Sequence, residues 1–380
     1  MKKFKLLCSF LLAVMTLSLS AQEAQFSKAN SWAELLQQAK KEHKMVFIDS
    51  YFVGCHPCKQ MDDEVFPLPQ VVKLMGENFI SVKIDFLKDD LGKQLQIKYG
   101  VTGFPTFLLL NSEGQLVSRF SGYQEADKFQ SKLSDAVAAA KKGQVMAGFN
   151  AALDVNYPDF YRAFFTERKA INAEELSGFL SGKDMMKEAD AMPFLMSRSL
   201  SPEWSDYLLK NYRRLESMYG KELIASRRNA IIFAKLKNAV PVRDDVKFEA
   251  FLNEVKPLFS STDWPYAKLD IAEEYFYRQQ KDRKAFFRYA AKNYNDDDNK
   301  LRYMAMYLSL PDVDAEEKKL YAEWMKLVVQ ENSSYAVLAS ATSIMKNQED
   351  MLQAKRYARW GLKKAALINK SDKMFQSVLD

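Results

Sequence analysis

Tyr51-Phe-Val-Gly-Cys-His-Pro-Cys-Lys-Gln60 holds two of the three cysteines of a 380-residue chain. Only His56 and Pro57 separate them. A disulfide across so short a gap removes little entropy from the unfolded chain, so it makes a poor structural staple. A chain of this length buries enough core to do without one. The pair therefore points to sulfur chemistry, which needs a thiolate rather than a thiol. The flanking sequence offers a means of ionising one. Met45-Val-Phe-Ile48 is a compact β-former run consistent with a buried central strand, and a helical pattern follows the cysteines. Unpaired N–H groups at a helix start favour a nearby anion. Pro57 suits the first turn, where its missing N–H costs nothing. On this reading Cys55 is the nucleophile, and Cys58 the resolving thiol that attacks the mixed disulfide formed by Cys55. For His56 two readings stand: a protonated imidazole that stabilises the thiolate and raises the potential, or a side chain that faces solvent.

Working outward, Ser31-Trp-Ala-Glu34 is a capping box, and apolar spacing continues the helix to about His43. Lys59 to Phe66 is helical until Pro67 and Pro69 interrupt it, and Val71 to Met75 is helical again. Phe79-Ile-Ser-Val-Lys-Ile-Asp85 alternates as a strand, with Ile80, Val82 and Ile84 on one face. Leu91 to Tyr99 is a helix ended by Gly100. Thr106 to Leu110 and Gln115 to Phe120 flank Asn111-Ser-Glu-Gly114 as a β-hairpin. A helix from Ala126 to Lys141 closes the unit, with Phe129, Leu133 and Val137 on one side. Residues 31–141 thus form an α/β domain with a central mixed sheet flanked by helices. Residues 142–148 read as a linker. Residues 149–380 show no strand alternation, only helical stretches punctuated by prolines, so an all-α helical domain is expected. Tyr266-Ala-Lys-Leu-Asp-Ile-Ala272 and Tyr335-Ala-Val-Leu-Ala-Ser-Ala341 are spaced by about 69 residues, two periods of a ~34-residue helical hairpin. A tetratricopeptide-like stack and an irregular bundle both remain open.

The N-terminus reads as a secretory signal over residues 1–21: basic Met1-Lys-Lys-Phe-Lys5, an apolar run from Leu6 to Leu17, then small residues. The run is shorter than the ~20 residues a membrane span needs. Cys8 comes too early, and without small residues before it, to anchor a lipoprotein. Cleavage would remove it and leave Cys55 and Cys58 alone, with residues 22–30 as an N-terminal extension. It would also take three lysines from a formal net charge of +6. The near-balanced surface that remains argues against a nucleic-acid partner. No later run is apolar enough to span a membrane, so the mature chain is expected to be soluble, and the signal makes export to the periplasm the expectation.

Cys55-His-Pro-Cys-Lys59 on a strand-to-helix turn resembles a thioredoxin-superfamily active site. Further residues agree with that resemblance. Asp49 matches the family's buried acid, which assists proton transfer at the resolving cysteine. Thr102-Gly-Phe-Pro-Thr106 matches the segment whose proline is cis and faces the disulfide. The resemblance thus implies a substrate-binding segment of Phe104, Pro105 and Thr106, and a redox disulfide between Cys55 and Cys58. Gly122 matches the glycine before the last helix. Trp32, the spacing and Glu64-Val-Phe66 most resemble the C-terminal thioredoxin-like domain of periplasmic thiol:disulfide interchange reductases. Three departures are visible, one being the dipeptide His56-Pro57 where thioredoxin has Gly-Pro. Gly54 stands where the family often has tryptophan, and the strand position that commonly carries a lysine near the buried acid falls on Ser81.

What the resemblance implies is a thiol:disulfide oxidoreductase acting on protein thiols and disulfides, more in the reducing direction, with an upstream membrane electron donor in view. No cofactor and no metal are expected. A zinc site would need four ligands, and only His43 joins His56 and the two thiols. Met185, Met186, Met192 and Met196 read as adaptable core packing. Asn295-Asp-Asp-Asp298 lacks the glycine and terminal glutamate of a calcium loop and reads as a solvated turn. The competing function is a non-catalytic interaction module, in which the helical domain binds an envelope partner on a thioredoxin-like scaffold.

Overall fold

The structure is a computed structural model that describes residues 26–27, 31–294, 313–368 and 370–380. The signal segment, Cys8, most of the extension over 22–30 and the turn at Asn295 lie outside the described residues. The first unit runs α1 (Trp32–Glu42), β1 (Met45–Tyr51), α2 (His56–Glu64), α3 (Pro69–Asn78), β2 (Phe79–Asp85), α4 (Asp90–Tyr99), β3 (Thr106–Leu110), β4 (Leu116–Ser121) and α5 (Ala126–Lys141). Ser31 caps α1 through its hydroxyl, which accepts the Glu34 N–H at 3.2 Å. Pro69, read as an interruption, instead opens α3 at a position where no N–H is needed.

The four strands lie in the order β2-β1-β3-β4. β1 and β2 are parallel, and the other two pairs are antiparallel, so the sheet is mixed. Strand side chains alternate faces. Met45, Phe47, Phe107 and Leu109 pack on one side with Met61, Phe66, Phe129 and Leu133. Val46, Ile48, Ile80, Val82, Leu108 and Leu110 pack on the other.

That second face is covered partly by the rest of the chain. After α5 come α6 (Asp159–Thr166), α7 (Ala173–Leu180), α8 (Glu188–Met196), α9 (Pro202–Tyr219) and α10 (Lys221–Ala239). Tyr161, Met185, Met192, Phe194, Met196 and Leu208 of this stretch share one continuous core with the sheet residues. The methionines pack as the sequence suggested. Gly100 shows how closely the parts meet: its φ is +60°, and a Cβ there would lie 2.7 Å from Met192 Cε and 2.8 Å from Met196 Sδ. Beyond lie α11 (Asp245–Val255), a 3₁₀ turn, α12 (Trp264–Ala272), which runs on as a π-helix, and α13 (Arg283–Asn293). Then follow α14 (Ala315–Val328), α15 (Tyr335–Asn347), α16 (Met351–Leu367) and α17 (Lys373–Leu379) around a third core. The two similar segments begin or lie within α12 and α15. Among the described residues no strand follows β4, and no helix is long and apolar enough to cross a membrane.

One buried ion pair pins α4 to α8. Lys98 Nζ is fully buried and lies 2.9 Å and 3.2 Å from the two carboxylate oxygens of Glu188. Asn150 donates to the same carboxylate from its backbone and side-chain nitrogens, and Tyr157 from its hydroxyl. Burial lowers the Lys98 pKa, and Glu188 works against that shift. Removing one member leaves the other charge uncompensated, whereas replacing both can be near neutral. Lys98→Met is therefore expected to cost about 3–5 kcal/mol, read as a fall in the urea midpoint. Lys98→Met with Glu188→Leu should recover most of that loss.

Candidate active site

Strand β1 delivers the chain to the site, and four residues beyond it Cys55 becomes the N-cap of α2. Its Sγ accepts the Cys58 N–H at 3.2 Å, so sulfur occupies the place a capping oxygen would take. Pro57 sits in the first helical turn. Cys55 and Cys58 are joined as a disulfide, 6% and 3% exposed respectively. His56 is exposed to solvent, and His43 lies away at the C-cap of α1. Gly54 has φ +97° with open space around its Cα. The backbone turn, rather than crowding, excludes a tryptophan there.

Asp49 is buried on β1, on the same face as Phe47. Neither of its carboxylate oxygens makes a hydrogen bond. Burial raises its pKa to about 7; the Asp62 charge adds to the rise, and Lys83 opposes it. This corrects the lysine position. Ser81 pairs across the strands with Phe47, while the residue opposite Asp49 is Lys83. Its Nζ lies 3.4 Å from the Asp49 carboxylate and also pairs with Asp62 on α2. Aligning the strand starts, Met45 with Phe79, is the signal that finds it, because parallel neighbours then advance in step.

The Phe104–Pro105 peptide bond is cis. The Thr106 N–H donates to Ser50 Oγ at 2.9 Å, and the Pro105 carbonyl accepts from the Gly122 N–H at 2.8 Å. Pro105 and Thr106 are buried, while Phe104 is half-buried and meets Phe52 edge to face at 5.4 Å. Gly122 has φ +78°, in the left-handed region that suits glycine.

On the opposite side, the C-terminal helices return to the same unit. Lys370 pairs with Glu64 at the end of α2, and Lys364 lies 3.5 Å from Glu125. Tyr123 donates to Glu64 at 3.0 Å. Among the described residues no group of three or more histidines, cysteines and carboxylates is placed to hold a metal ion.

Sequence reasoning did not single out Phe52, Phe164, Phe165, Arg168 or Arg198. These line a cleft of about 980 Å³ beside the disulfide turn, between the sheet unit and the helical part. No local motif marks them, because the cleft exists only once α6 and α8 dock.

Residues 32–137 match the thioredoxin-like domain family, and this part of the chain is a thioredoxin-like domain. The thiol:disulfide interchange protein DsbD of Photorhabdus laumondii is 32% identical over 117 residues, covering 30% of this chain and 20% of that protein. The disulfide bond reductase DsbH of Chlamydia pneumoniae is 27% identical over 100 residues, covering 23% of this chain and 59% of that protein. A solved putative disulphide-isomerase from Bacteroides thetaiotaomicron is 32% identical, covering 30% of this chain and 96% of that one, at a TM-score of 0.28. The chain therefore spans a fifth of the length of the DsbD relative and under two thirds of the DsbH relative.

Proposed function

We infer that this protein is an exported thiol:disulfide oxidoreductase that reduces protein disulfides through Cys55 and Cys58. The observation that carries this reading is the place of the Cys55 sulfur, which accepts an N–H at the first turn of α2 while joined to Cys58. The same N–H and the helix start stabilise a thiolate once the disulfide is opened. In the reduced protein, the Cys55 thiolate attacks one sulfur of a client disulfide and expels the other as a thiolate. Cys58 then gives up its proton and attacks Cys55, releasing the client thiol and restoring the Cys55–Cys58 disulfide. Each cycle moves two electrons to the client, and an upstream dithiol must return them.

Asp49 is read as the acceptor of the Cys58 proton, supported by its burial and a pKa near neutrality. Phe104, Pro105 and Thr106 form the contact segment beside the disulfide. With both backbone groups at Pro105 and Thr106 engaged internally, the half-buried Phe104 ring is its accessible part. Export rests on the basic and apolar pattern of residues 1–21. The reducing direction rests on likeness to proteins named as interchange protein and reductase.

Two measurements test the reading. Cys58→Ala is expected to accumulate a client protein as a mixed disulfide on Cys55, resolved by dithiothreitol. Equilibration against glutathione should place the potential nearer thioredoxin's about −270 mV than the about −120 mV of a strong oxidant. A value at the oxidising end would reverse the assigned direction.

A further inference from the structure

We propose that the cleft between the thioredoxin-like domain and the docked helices is a client-recognition groove for an extended peptide segment that carries aromatic and acidic side chains beside its cysteine. The proposal deepens the redox reading above and rests on it for the word client. The two walls come from different parts of the chain. Phe52 and Phe104 line one side, Phe164 and Phe165 the other, with Arg168 and Arg198 also in the lining.

The groove is continuous with the redox turn. The Phe52 carbonyl accepts the Cys55 N–H at 3.1 Å, and Phe104 directly precedes Pro105. A chain whose cysteine sits on Cys55 therefore has the groove as its neighbouring apolar surface. At about 980 Å³ it has the size of a site that encloses several side chains. A second groove of about 500 Å³ shares Arg198 and Ser199 with it and extends along α10 to Asn238, with Lys235 paired there to Asp206. Such a run suits a ligand longer than a small molecule.

Charge selects the ligand further. No carboxylate lines the main cleft, whereas Lys93, Arg168 and Arg198 do. Lys93 is neutralised by Asp90 at 3.1 Å. Arg168 and Arg198 are exposed, and neither forms an ion pair among the described residues. Arg198 instead lies near enough to Arg227 to lower that residue's pKa, although burial is the larger cause. Two unpaired guanidiniums beside five phenylalanine rings, Phe86 included, fit a peptide with carboxylate and ring side chains, since arginine takes carboxylates in bidentate fashion.

The test is a binding measurement, independent of turnover. Two fluorescein-labelled 14-residue peptides (the length is arbitrary) would be titrated onto the full oxidised protein at low salt and followed by anisotropy. Each carries serine in place of the central cysteine and Phe on both sides, with Glu in one peptide and Lys in the other. The Glu peptide is expected to bind at least about tenfold more tightly, a preference that high salt weakens. Arg168→Glu with Arg198→Glu should abolish or reverse it. Arg198→Glu alone, at an exposed position, should reduce it and serves should the double variant fail to fold. Equal affinity for the two peptides, or an unchanged preference in the variants, overturns the groove assignment. A protein that binds the Glu peptide yet never reduces a disulfide would sink the redox reading instead.

Discussion

Replacing Cys55 with alanine is expected to reduce insulin-disulfide reduction at least about a thousandfold, because it removes the sulfur we assign as the nucleophile. The loss should not reflect unfolding. The disulfide spans so few residues that its contribution to stability is at most about 2 kcal/mol, less than the expected cost of breaking the Lys98–Glu188 pair. Far-ultraviolet circular dichroism and a urea midpoint near that of the reduced wild type would confirm a folded variant. Cys58→Ala separates the two sulfurs. It should still consume one equivalent of disulfide and then stall, giving a burst without turnover. If wild type and Cys55→Ala reduce insulin at the same rate, the interaction-module reading takes over, and the helical part becomes the working element. The pairing of Cys55 with Cys58 argues against that outcome, because a scaffold could cap α2 with serine or aspartate and needs no second sulfur three residues on.

The thioredoxin-like domain was legible because its signals are local. Hydrophobic alternation placed β2, Gly100 ended α4, and Asn111 to Gly114 marked the hairpin, each within a few residues. The cysteine turn was equally readable, since the spacing of Cys55 and Cys58, with Pro57 between them, is itself the chemistry. What escaped was set by pairing at a distance. Lys83 reaches Asp49 through the register of two parallel strands separated by α2 and α3, and a two-residue error of register keeps the face but puts Ser81 where Lys83 belongs. The shared core was hidden for a similar reason. Nothing in Met192 or Met196 shows that they meet Gly100, because that contact depends on how α8 docks. The groove follows from the same docking, so its aromatic walls read locally as ordinary helix and turn residues.

Asp49→Asn carries the second large effect, and its sign follows from where the proton sits. Burial holds the folded carboxyl protonated up to about pH 7, above its ordinary 3.8. Between those values the folded protein binds a proton that the unfolded chain has released, so stability falls as pH rises through the window. Asparagine does not titrate and carries no such penalty. The oxidised variant should therefore match wild type near pH 4 and exceed it by about 2–4 kcal/mol at pH 8, with the gap opening between. Urea denaturation at the two pH values without reductant measures it. Activity should move the other way. If Asp49 takes the Cys58 proton, Asp49→Asn slows release of the mixed disulfide by at least about a hundredfold and removes an inflection near neutrality from its pH profile. Lys83→Met provides the internal check. Lys83 opposes the rise in the Asp49 pKa, so its loss should push that inflection upward and deepen the instability at pH 8. A variant pair that shifts stability without touching the pH profile would leave Asp49 as a buried strain and assign the proton to solvent.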